Sequence, residues 1–229
     1  MIPDSPHVTR PERPDSLTRQ VHDILCEMLL SGQLRPDDRM SMRDLADRLG
    51  VSVMPVREAV SRLVASGALE VRPNRAVAVP VLTRAGFQDL TEIRIYNETY
   101  AVRLAAERMP VPAMDEMRNL DRRFRDSLAS PDGRDAVRAN KALHFHIYEA
   151  AGSPVLCEVI STMWLKAGPV INLDLGDASR RNRNAASVRN HADLVAAIER
   201  RDGEAAAMAL IADIRSAAEF ILSRDVLRG

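Results

Sequence analysis

Two short amphipathic helices separated by one glycine constrain the fold of this chain more than any other feature. Ser41 is placed to cap the first helix, and Gly50 is placed to end it. Ser52 begins a second helix that runs to about Ala65 and keeps its apolar side chains on one face. A capped helix, a glycine turn and a second amphipathic helix are typical of the helix-turn-helix, whose second helix enters the major groove of double-stranded DNA.

The hydrophobic period changes directly after these helices. Residues 68–72 alternate between apolar and polar, Pro73-Asn74 favours a turn, and residues 76–80 resume an extended run. This pattern predicts a β-hairpin. A hairpin that follows the second helix indicates a winged helix-turn-helix, which we place at residues 15–80. The alternative is a plain helical hairpin that carries surface arginines.

The N-terminal end of the chain predicts a tail and one further helix. Residues 1–14 contain four prolines among polar neighbours and predict a flexible tail. Asp15 or Ser16 is placed to cap a helix that ends at Gly32. Residues 32–40 are predicted to form a loop that leads into the helix-turn-helix.

Beyond residue 83 the chain has only helical periodicity. The chain is 46% apolar but only 3% aromatic, and its alanine and leucine content favours helices that pack on helices. The predicted fold class is therefore mainly α, with an N-terminal winged helix-turn-helix that includes a small β-hairpin and, over residues 81–229, an antiparallel helical bundle. We predict helices near 84–108, 112–129, 132–151, 154–168, 179–200 and 203–223, with Gly168-Pro169 as one of the breaks.

Composition excludes several classes of protein. The longest purely apolar runs, such as residues 205–212, are far shorter than the roughly 20 residues that span a bilayer, so no membrane partner is predicted. The few aromatic residues argue against a protein that stacks bases along a single strand. Cys26 and Cys157 lie far apart and match no metal spacing. Without an apolar leader segment, they indicate a reducing cytoplasm.

The candidate DNA contacts lie in a short stretch with excess positive charge. The whole chain has a formal net charge of zero, but residues 50–75 contain four arginines and two acidic residues. Arginine can bind guanine or phosphate with two hydrogen bonds, whereas valine and methionine can contact a thymine methyl group. The predicted DNA-binding residues are Arg43, Ser52, Val53, Met54, Arg57, Arg62, Arg72 and Arg75.

A second group of polar residues lies on the apolar faces of the predicted bundle helices. Asn140 and His144 are four residues apart on one helix. His191 lies eleven residues before the break at Asp202, and Asp213 lies eleven residues after it, so an antiparallel hairpin brings the two side chains level. Two imidazoles, a carboxylate and an amide oxygen predict a site for a divalent metal ion, which could be Zn, Ni, Mn or Fe.

The same four residues allow a second interpretation. Without a metal ion, they would form a polar cluster held by hydrogen bonds and water, since an unpaired buried charge is costly. His146, two residues beyond His144, is predicted to point elsewhere in either case.

Arg94 and Glu98 form another pair four residues apart, on the first bundle helix. One interpretation is an ion pair on the helix surface, which contributes a few tenths of a kcal/mol. The other is that these residues belong to an effector site, in which Arg94 holds an anionic ligand. The sequence leaves both open.

These motifs resemble a known family. The tract Leu34–Leu63, followed by residues 67–75, resembles the GntR family of bacterial transcription regulators. The remainder resembles the all-helical effector domain, the FCD domain, of the FadR-like subgroup. This chain has Val53 and Met54 where the family usually has Arg and Thr, and Ala76 where it usually has Gly. Since glycine permits positive φ at a wing tip, Ala76 is expected to alter the approach of the wing to DNA.

The resemblance implies a function and a ligand set. It implies a cytoplasmic homodimer, most simply a repressor, that binds an inverted-repeat operator and responds to a small carboxylate metabolite bound in the bundle. Metal-binding FCD domains typically have an Asp four residues before a first His, and two later His. Asn140, His144, His191 and Asp213 stand at these positions, so one carboxylate has moved across the site.

Two alternative functions come from other classes. One is a DNA-binding protein whose helical domain only dimerises, without a ligand. The other is a metalloenzyme that uses two histidines and one carboxylate to hold iron. No separate nucleophile or acid–base pair supports the enzyme, so no enzymatic activity is predicted.

Overall fold

The computed structural model describes residues 14–73, 76–130, 132–175 and 181–229, with the backbone alone at 14–16, 174–175 and 181–185. The predicted tail lies outside the described residues except for Pro14, and the turn residue Asn74 also lies outside them. The described residues form α1 (Pro14–Leu30), β1 (Arg39–Met40), α2 (Met42–Leu49), α3 (Val53–Ala65), β2 (Glu70–Val71), β3 (Val77–Ala78), α4 (Arg84–Arg108), α5 (Val111–Ser127), α6 (Gly133–Ala150), α7 (Pro154–Leu175), α8 (Arg181–Glu199) and α9 (Gly203–Leu222). The mainly α fold class is confirmed.

The turn between α2 and α3 forms as the sequence predicts. Ser41 Oγ accepts a hydrogen bond of 2.9 Å from the backbone N–H of Asp44 at the start of α2. Gly50 ends α2 in the left-handed conformation with φ +65°, which glycine adopts without a steric penalty. Leu49 and Val56, on either side of this turn, are buried. Burial of both helices on one core fixes the angle at which α3 is presented.

The wing contains three strands, so the prediction of a loop over residues 32–40 is wrong at its end. The strand order is β1-β3-β2, and both neighbours run antiparallel to β3. Arg39 pairs with Ala78, and Met40 pairs with Val77. A two-stranded hairpin is marginally stable in water. Met40 is only 5% exposed, so the added strand also buries an apolar side chain. Two residues are too few to give a recognisable alternation.

Helix α4 is the centre of the bundle and packs against α6, α7, α8 and α9. Helices α8 and α9 form an antiparallel hairpin around Asp202, whose side chain caps α9 by accepting a hydrogen bond from the N–H of Ala205. One apolar core extends from α1 through α9. The polar site described below lies inside this core.

Helix α7 continues seven residues beyond its predicted end, so the break predicted at Gly168-Pro169 is wrong. Proline removes one helical hydrogen bond, but Val170 and Asn172 beyond it are buried, and burial outweighs that loss. By length and composition, the segment Pro154–Leu173 could cross a membrane. Buried core helices pass the same test, and Ile160 and Trp164 of α7 are buried in the bundle.

The C-terminal half of α7 holds the end of α1. The Asn172 Nδ2 group donates hydrogen bonds to the carbonyl oxygens of Leu29, at 3.3 Å, and Leu30, at 3.1 Å. Gly168 permits this approach, since a Cβ there would lie 3.3 Å from the Leu29 carbonyl oxygen. Because the last carbonyls of a helix have no partner within the helix, Asn172 satisfies groups that the end of α1 leaves open.

Candidate metal centre and DNA-binding surface

Helix α3 presents the predicted recognition residues at its N-terminal end. Ser52, Met54 and Arg57 are exposed, and the Met54 side chain is 59% exposed. Ser52 stands at the N-cap but makes no side-chain cap hydrogen bond within the described chain. A predicted DNA contact should be exposed, but Val53 is half-buried and packs against the core.

Two further predicted arginines are exposed near this surface. Arg43 lies in the first turn of α2, and Arg62 lies in the last turn of α3. Arg75 lies outside the described residues. Ala76 accepts a hydrogen bond from the N–H of Arg72 at 2.9 Å.

Arg72 is engaged by acidic side chains of the wing. Its Nη2 atom lies 2.9 Å from Oδ1 of Asp37, and its Nε atom lies 2.7 Å from Oε1 of Glu70. Asp37 also contacts Arg39 Nη2, at 3.1 Å, and adopts a left-handed backbone with φ +66°. A contact between Arg72 and DNA phosphate would therefore compete with two carboxylates.

The candidate metal centre joins three helices. His144 of α6 and His191 of α8 are buried, and Asp213 of α9 is 15% exposed. The two Nε2 atoms lie 3.1 Å apart. The Asp213 carboxylate lies 3.4 Å from Nε2 of His144 and 3.6 Å from Nε2 of His191. The predicted grouping of these three side chains is therefore present.

Burial and mutual contacts set the protonation of this triad. Burial opposes ionisation of Asp213, but the two neighbouring imidazoles, His191 and His144, hold the pKa of this carboxyl well below its usual value. Burial also lowers the pKa of His144, although Asp213 acts in the opposite direction. An ionised carboxylate and a neutral imidazole are the forms that bind metal ions.

The donor set fits a divalent metal ion. Two atoms that each lie about 2.1 Å from one ion are at most about 4.2 Å apart, and the three separations within the triad are all shorter. Two imidazole nitrogens and one carboxylate suit Zn, Fe, Mn or Ni. His191 Nδ1 is buried, and no described residue pairs with it. The ring is instead packed against Phe124, with centroids 4.4 Å apart.

His144 and Asp213 line a cavity of about 40 Å³, and His191 lies behind them. Asn140, the fourth predicted ligand, lines this cavity from the turn before His144. Its other lining residues are Arg94, Trp164, Ile171, Asn172, Ser187, Ile214 and Ala217. His146 is directed away from it, since its Nε2 lies 2.8 Å from the carbonyl oxygen of Ala113. This confirms that His146 is separate from the triad.

Arg94 and Glu98 form a buried ion pair, so the interpretation as a surface pair is wrong. Their side chains are 6% and 0% exposed, and Arg94 Nε lies 2.7 Å from Glu98 Oε1. The Arg94 guanidinium lies 5.0 Å from the ring centroid of Trp164. Helix α4 turns this pair inward because α6, α7, α8 and α9 surround it. Only Arg94 of the pair lines the cavity.

Tyr148 is a polar member of the site that sequence analysis missed. Its hydroxyl oxygen lies 3.1 Å from Nδ1 of His144 and donates a hydrogen bond of 2.5 Å to Glu98 Oε2. Burial, reinforced by the charge of Glu98, raises the pKa of the Tyr148 hydroxyl well above its usual value. In the sequence, Tyr148 follows the spacing of the apolar residues on its helix. Its spacing of four residues from His144 was the available sign of a contact.

Comparison with known proteins identifies the family. Residues 17–79 match the model of the gntR family of bacterial regulatory proteins, and residues 89–216 match the model of the FCD domain. The chain belongs to the GntR family. The relatives in this family are transcription regulators. The two alternative interpretations, a plain helical hairpin and a metalloenzyme, are therefore excluded.

Relatives within the GntR family match most of the chain. The transcriptional regulator McbR of Escherichia coli K12 is 32% identical over 189 residues, which are 82% of this chain and 85% of that protein. A solved structure of E. coli McbR/YncC superimposes with a TM-score of 0.84 at 29% identity, covering 90% of this chain and 97% of that one. A probable D-xylose utilization operon repressor of Paenarthrobacter nicotinovorans is 26% identical over 85% of this chain and 84% of that protein.

Proposed function

We propose that this regulator binds an inverted-repeat operator as a homodimer and that a divalent metal ion and a small carboxylate in the FCD bundle control this binding. The convergence of His144, His191 and Asp213 beside a cavity that is also lined by Arg94 carries the proposal. Repression is the simplest mode, because the D-xylose relative is named as a repressor. Action on DNA implies a cytoplasmic protein.

The N-terminal part, residues 15–80, would read the operator. Each chain has one recognition helix, α3, and two such helices read the two halves of an inverted repeat. Met54 and Arg57 are exposed at its N-terminal end, where side chains reach base edges. Arg43, in the first turn of α2, and Arg62, in the last turn of α3, are exposed and available to bind phosphates.

The bundle, residues 81–229, would join the two copies. Ile93, Tyr96 and Tyr100 follow a spacing of three and four residues on α4, and they are 49%, 81% and 55% exposed. A row of exposed apolar side chains on one face is typical of an association surface. We propose a second copy as its partner, because an inverted repeat requires two recognition helices.

A metal ion would be held by His144, His191 and Asp213, with Asn140 at the cavity wall. When bound, it would offer open coordination positions to a carboxylate oxygen. Arg94 supplies a positive charge in the same cavity, and its guanidinium can bind a carboxylate with two hydrogen bonds. The cavity has room for about three water molecules, which favours a small acid.

Asn172 connects this cavity with the DNA-binding part. It lines the cavity, and its amide also donates to the last carbonyls of α1. An acid that draws the Asn172 side chain toward the metal ion would release the end of α1. Control of DNA binding then requires that the acid bind the two arrangements with different affinities.

Metal analysis and DNA binding test the proposal together. We expect purified protein to contain one equivalent of a divalent metal, and its removal with a chelator to lower the melting temperature. Folded-state binding contributes about 2.7 kcal/mol at a hundredfold excess over the dissociation constant. His191→Ala should abolish the effect of the chelator, whereas His146→Ala is the matched control and should keep it. A duplex selected from random sequence should show a chelator-dependent affinity with the wild type and with His146→Ala, but not with His191→Ala.

Two further substitutions probe the ligand set. Asp213→His restores the residue usual in the family and should preserve metal binding, because imidazole also suits these ions. Asn140→Asp adds a charged oxygen and should strengthen binding.

A second candidate function is regulation without a metal ion or effector, by a bundle that only dimerises. The 3.1 Å contact between the two Nε2 atoms favours it, since one N–H can satisfy both rings. Protein that contains no metal and whose melting temperature is unchanged by chelator would establish this candidate.

A further inference from the structure

Four side chains form a buried hydrogen-bonded row that leads from the cavity to His144. Arg94 donates to Glu98 at 2.7 Å, Tyr148 donates to Glu98 at 2.5 Å, and Tyr148 Oη lies 3.1 Å from His144 Nδ1. Glu98 is 0% exposed, and both of its carboxylate oxygens have partners. The row reaches His144 at Nδ1, whereas Asp213 lies near the other ring nitrogen, Nε2.

The positions of the protons in this row follow from what each group can donate. An ionised carboxylate only accepts hydrogen bonds, so the single proton of the Tyr148 hydroxyl lies toward Glu98. The Tyr148 oxygen can then only accept from His144, and the hydrogen must be on Nδ1. A neutral imidazole carries one N–H. Nε2 of His144 is left with its lone pair, directed at His191 and Asp213.

We propose that Tyr148, held by Glu98, is a positioning residue that keeps the proton of His144 on Nδ1 and leaves Nε2 free to bind the metal ion. The inference rests on the proposed function for its metal. Residues that hold the second nitrogen of a metal-binding histidine fix its tautomer and its ring orientation. Glu98 then acts on the metal site through Tyr148 and does not contact the effector.

The two histidines of the triad differ in this respect. Tyr148 holds His144 Nδ1, whereas no described residue pairs with His191 Nδ1. His144 is therefore fixed before the metal ion arrives, and His191 is the ring that can exchange tautomers. The hydroxyl group of Tyr148 therefore fixes one of the two metal-binding histidines, and no described group fixes the other.

The test removes that hydroxyl. Tyr148→Phe should weaken Zn²⁺ binding by about 10- to 100-fold, measured by competition with a chromogenic chelator. His191→Ala gives the baseline for zinc bound elsewhere. Thr162→Val deletes a hydroxyl group whose hydrogen bond stays within α7, to the carbonyl oxygen of Glu158, and should bind zinc as the wild type does. Equal zinc affinity of Tyr148→Phe and wild type would overturn the inference.

A second measurement determines the tautomer of His144 directly and needs no metal ion. In metal-free wild-type protein labelled with ¹⁵N-histidine, the NMR shifts of His144 should report a protonated Nδ1 and an unprotonated Nε2. The opposite tautomer would overturn the inference even if zinc binds. If the wild type binds no zinc but His144 has this tautomer and loses it in Tyr148→Phe, the metal part of the proposed function fails and the positioning role of Tyr148 stands.

Discussion

Arg72 Nη2 lies 2.9 Å from Oδ1 of Asp37. Arg72 is therefore already bound to an acidic side chain of the same domain. Asp37 holds Arg39 as well. Its φ of +66° lies in the region that favours glycine. Strain of this kind persists where surrounding contacts enforce it, and here the contacts are two arginines.

Neutralising Asp37 should therefore strengthen DNA binding. Asparagine tolerates the same backbone conformation. Asp37→Asn releases Arg39 and leaves Arg72 with Glu70 as its one described acidic partner. Each new phosphate contact should steepen the slope of log Kobs against log[salt] by about 0.9. Titrations of duplex DNA at several salt concentrations measure this slope. Asp193→Asn, the same change of charge on α8 of the bundle, is the control and should leave the slope unaltered. An unchanged slope for Asp37→Asn would mean that the wing does not reach phosphate.

Arg57 should contact a base or a phosphate, since it is exposed near the start of α3. Arg57→Ala should weaken specific binding by about 1–3 kcal/mol if the side chain reads a base. Gel shifts with the selected operator measure this change, with Arg215→Ala on α9 as the control. Unchanged affinity would remove Arg57 from the recognition surface.

Val53→Arg should change which operator is preferred, because it restores the donor usual in the family at that position. The half-buried position of Val53 leaves the long arginine stem room to extend from the first turn toward the groove. Selection from random duplexes with both proteins compares the preferred sites. Identical consensus sequences would contradict this prediction.

Ala76→Gly should leave DNA affinity nearly unchanged, because glycine keeps the backbone hydrogen bond that Ala76 accepts from the N–H of Arg72. A small loss of stability is expected, since glycine raises the entropy of the unfolded chain. Gel shifts and thermal melts of the two proteins measure both effects. Tighter binding by the glycine variant would show that the wing changes conformation on DNA.

Glu98→Gln should strongly destabilise the bundle. Removal of one partner from a buried ion pair leaves Arg94 uncompensated and typically costs about 3–5 kcal/mol. The surface pair Arg103–Glu204, in which Glu204 is 77% exposed, is the matched control. Glu204→Gln should cost at most about 1 kcal/mol. Chemical denaturation of both variants measures the difference, and equal costs would mean that solvent reaches Arg94.

Tyr96→Glu should separate the proposed dimer, because it places a charge in the centre of the exposed row on α4. Sedimentation should give a dimer for the wild type and a monomer for this variant, and operator affinity should fall. Glu107→Gln, a charge change at an exposed position near the end of α4, should leave the dimer intact. A dimeric Tyr96→Glu protein would move the interface elsewhere.

The grouping of His144, His191 and Asp213 could be predicted because it depends on helical spacing, which can be read from the sequence. His191 and Asp213 lie at equal distances from the turn at Asp202, and helices keep a fixed rise over such distances. The role of Tyr148 could not be predicted, because its periodicity is that of a core residue and its hydroxyl matters only through Glu98 of another helix. The burial of Glu98 likewise depends on the helices that surround α4.

The same limit applies to the fold. Capping residues and glycine turns located α2 and α3, since these act locally. Strand β1 has two residues and exists through its pairing with β3, and α7 passes Pro169 because distant residues bury its last turns. Arg72 looked available for DNA in the sequence, where its partner Asp37 is far away along the chain.

In the proposed function, the double role of Asn172 would make operator DNA itself an effector of the cavity. One side chain serves both the wall of the cavity and the end of α1, and thermodynamic linkage between two such sites is reciprocal. An acid that weakens operator binding about tenfold would itself be held about tenfold less tightly by the DNA-bound protein. The concentration of acid at which the regulator responds is then set in part by the strength of each operator, so one protein can release different promoters at different metabolite levels.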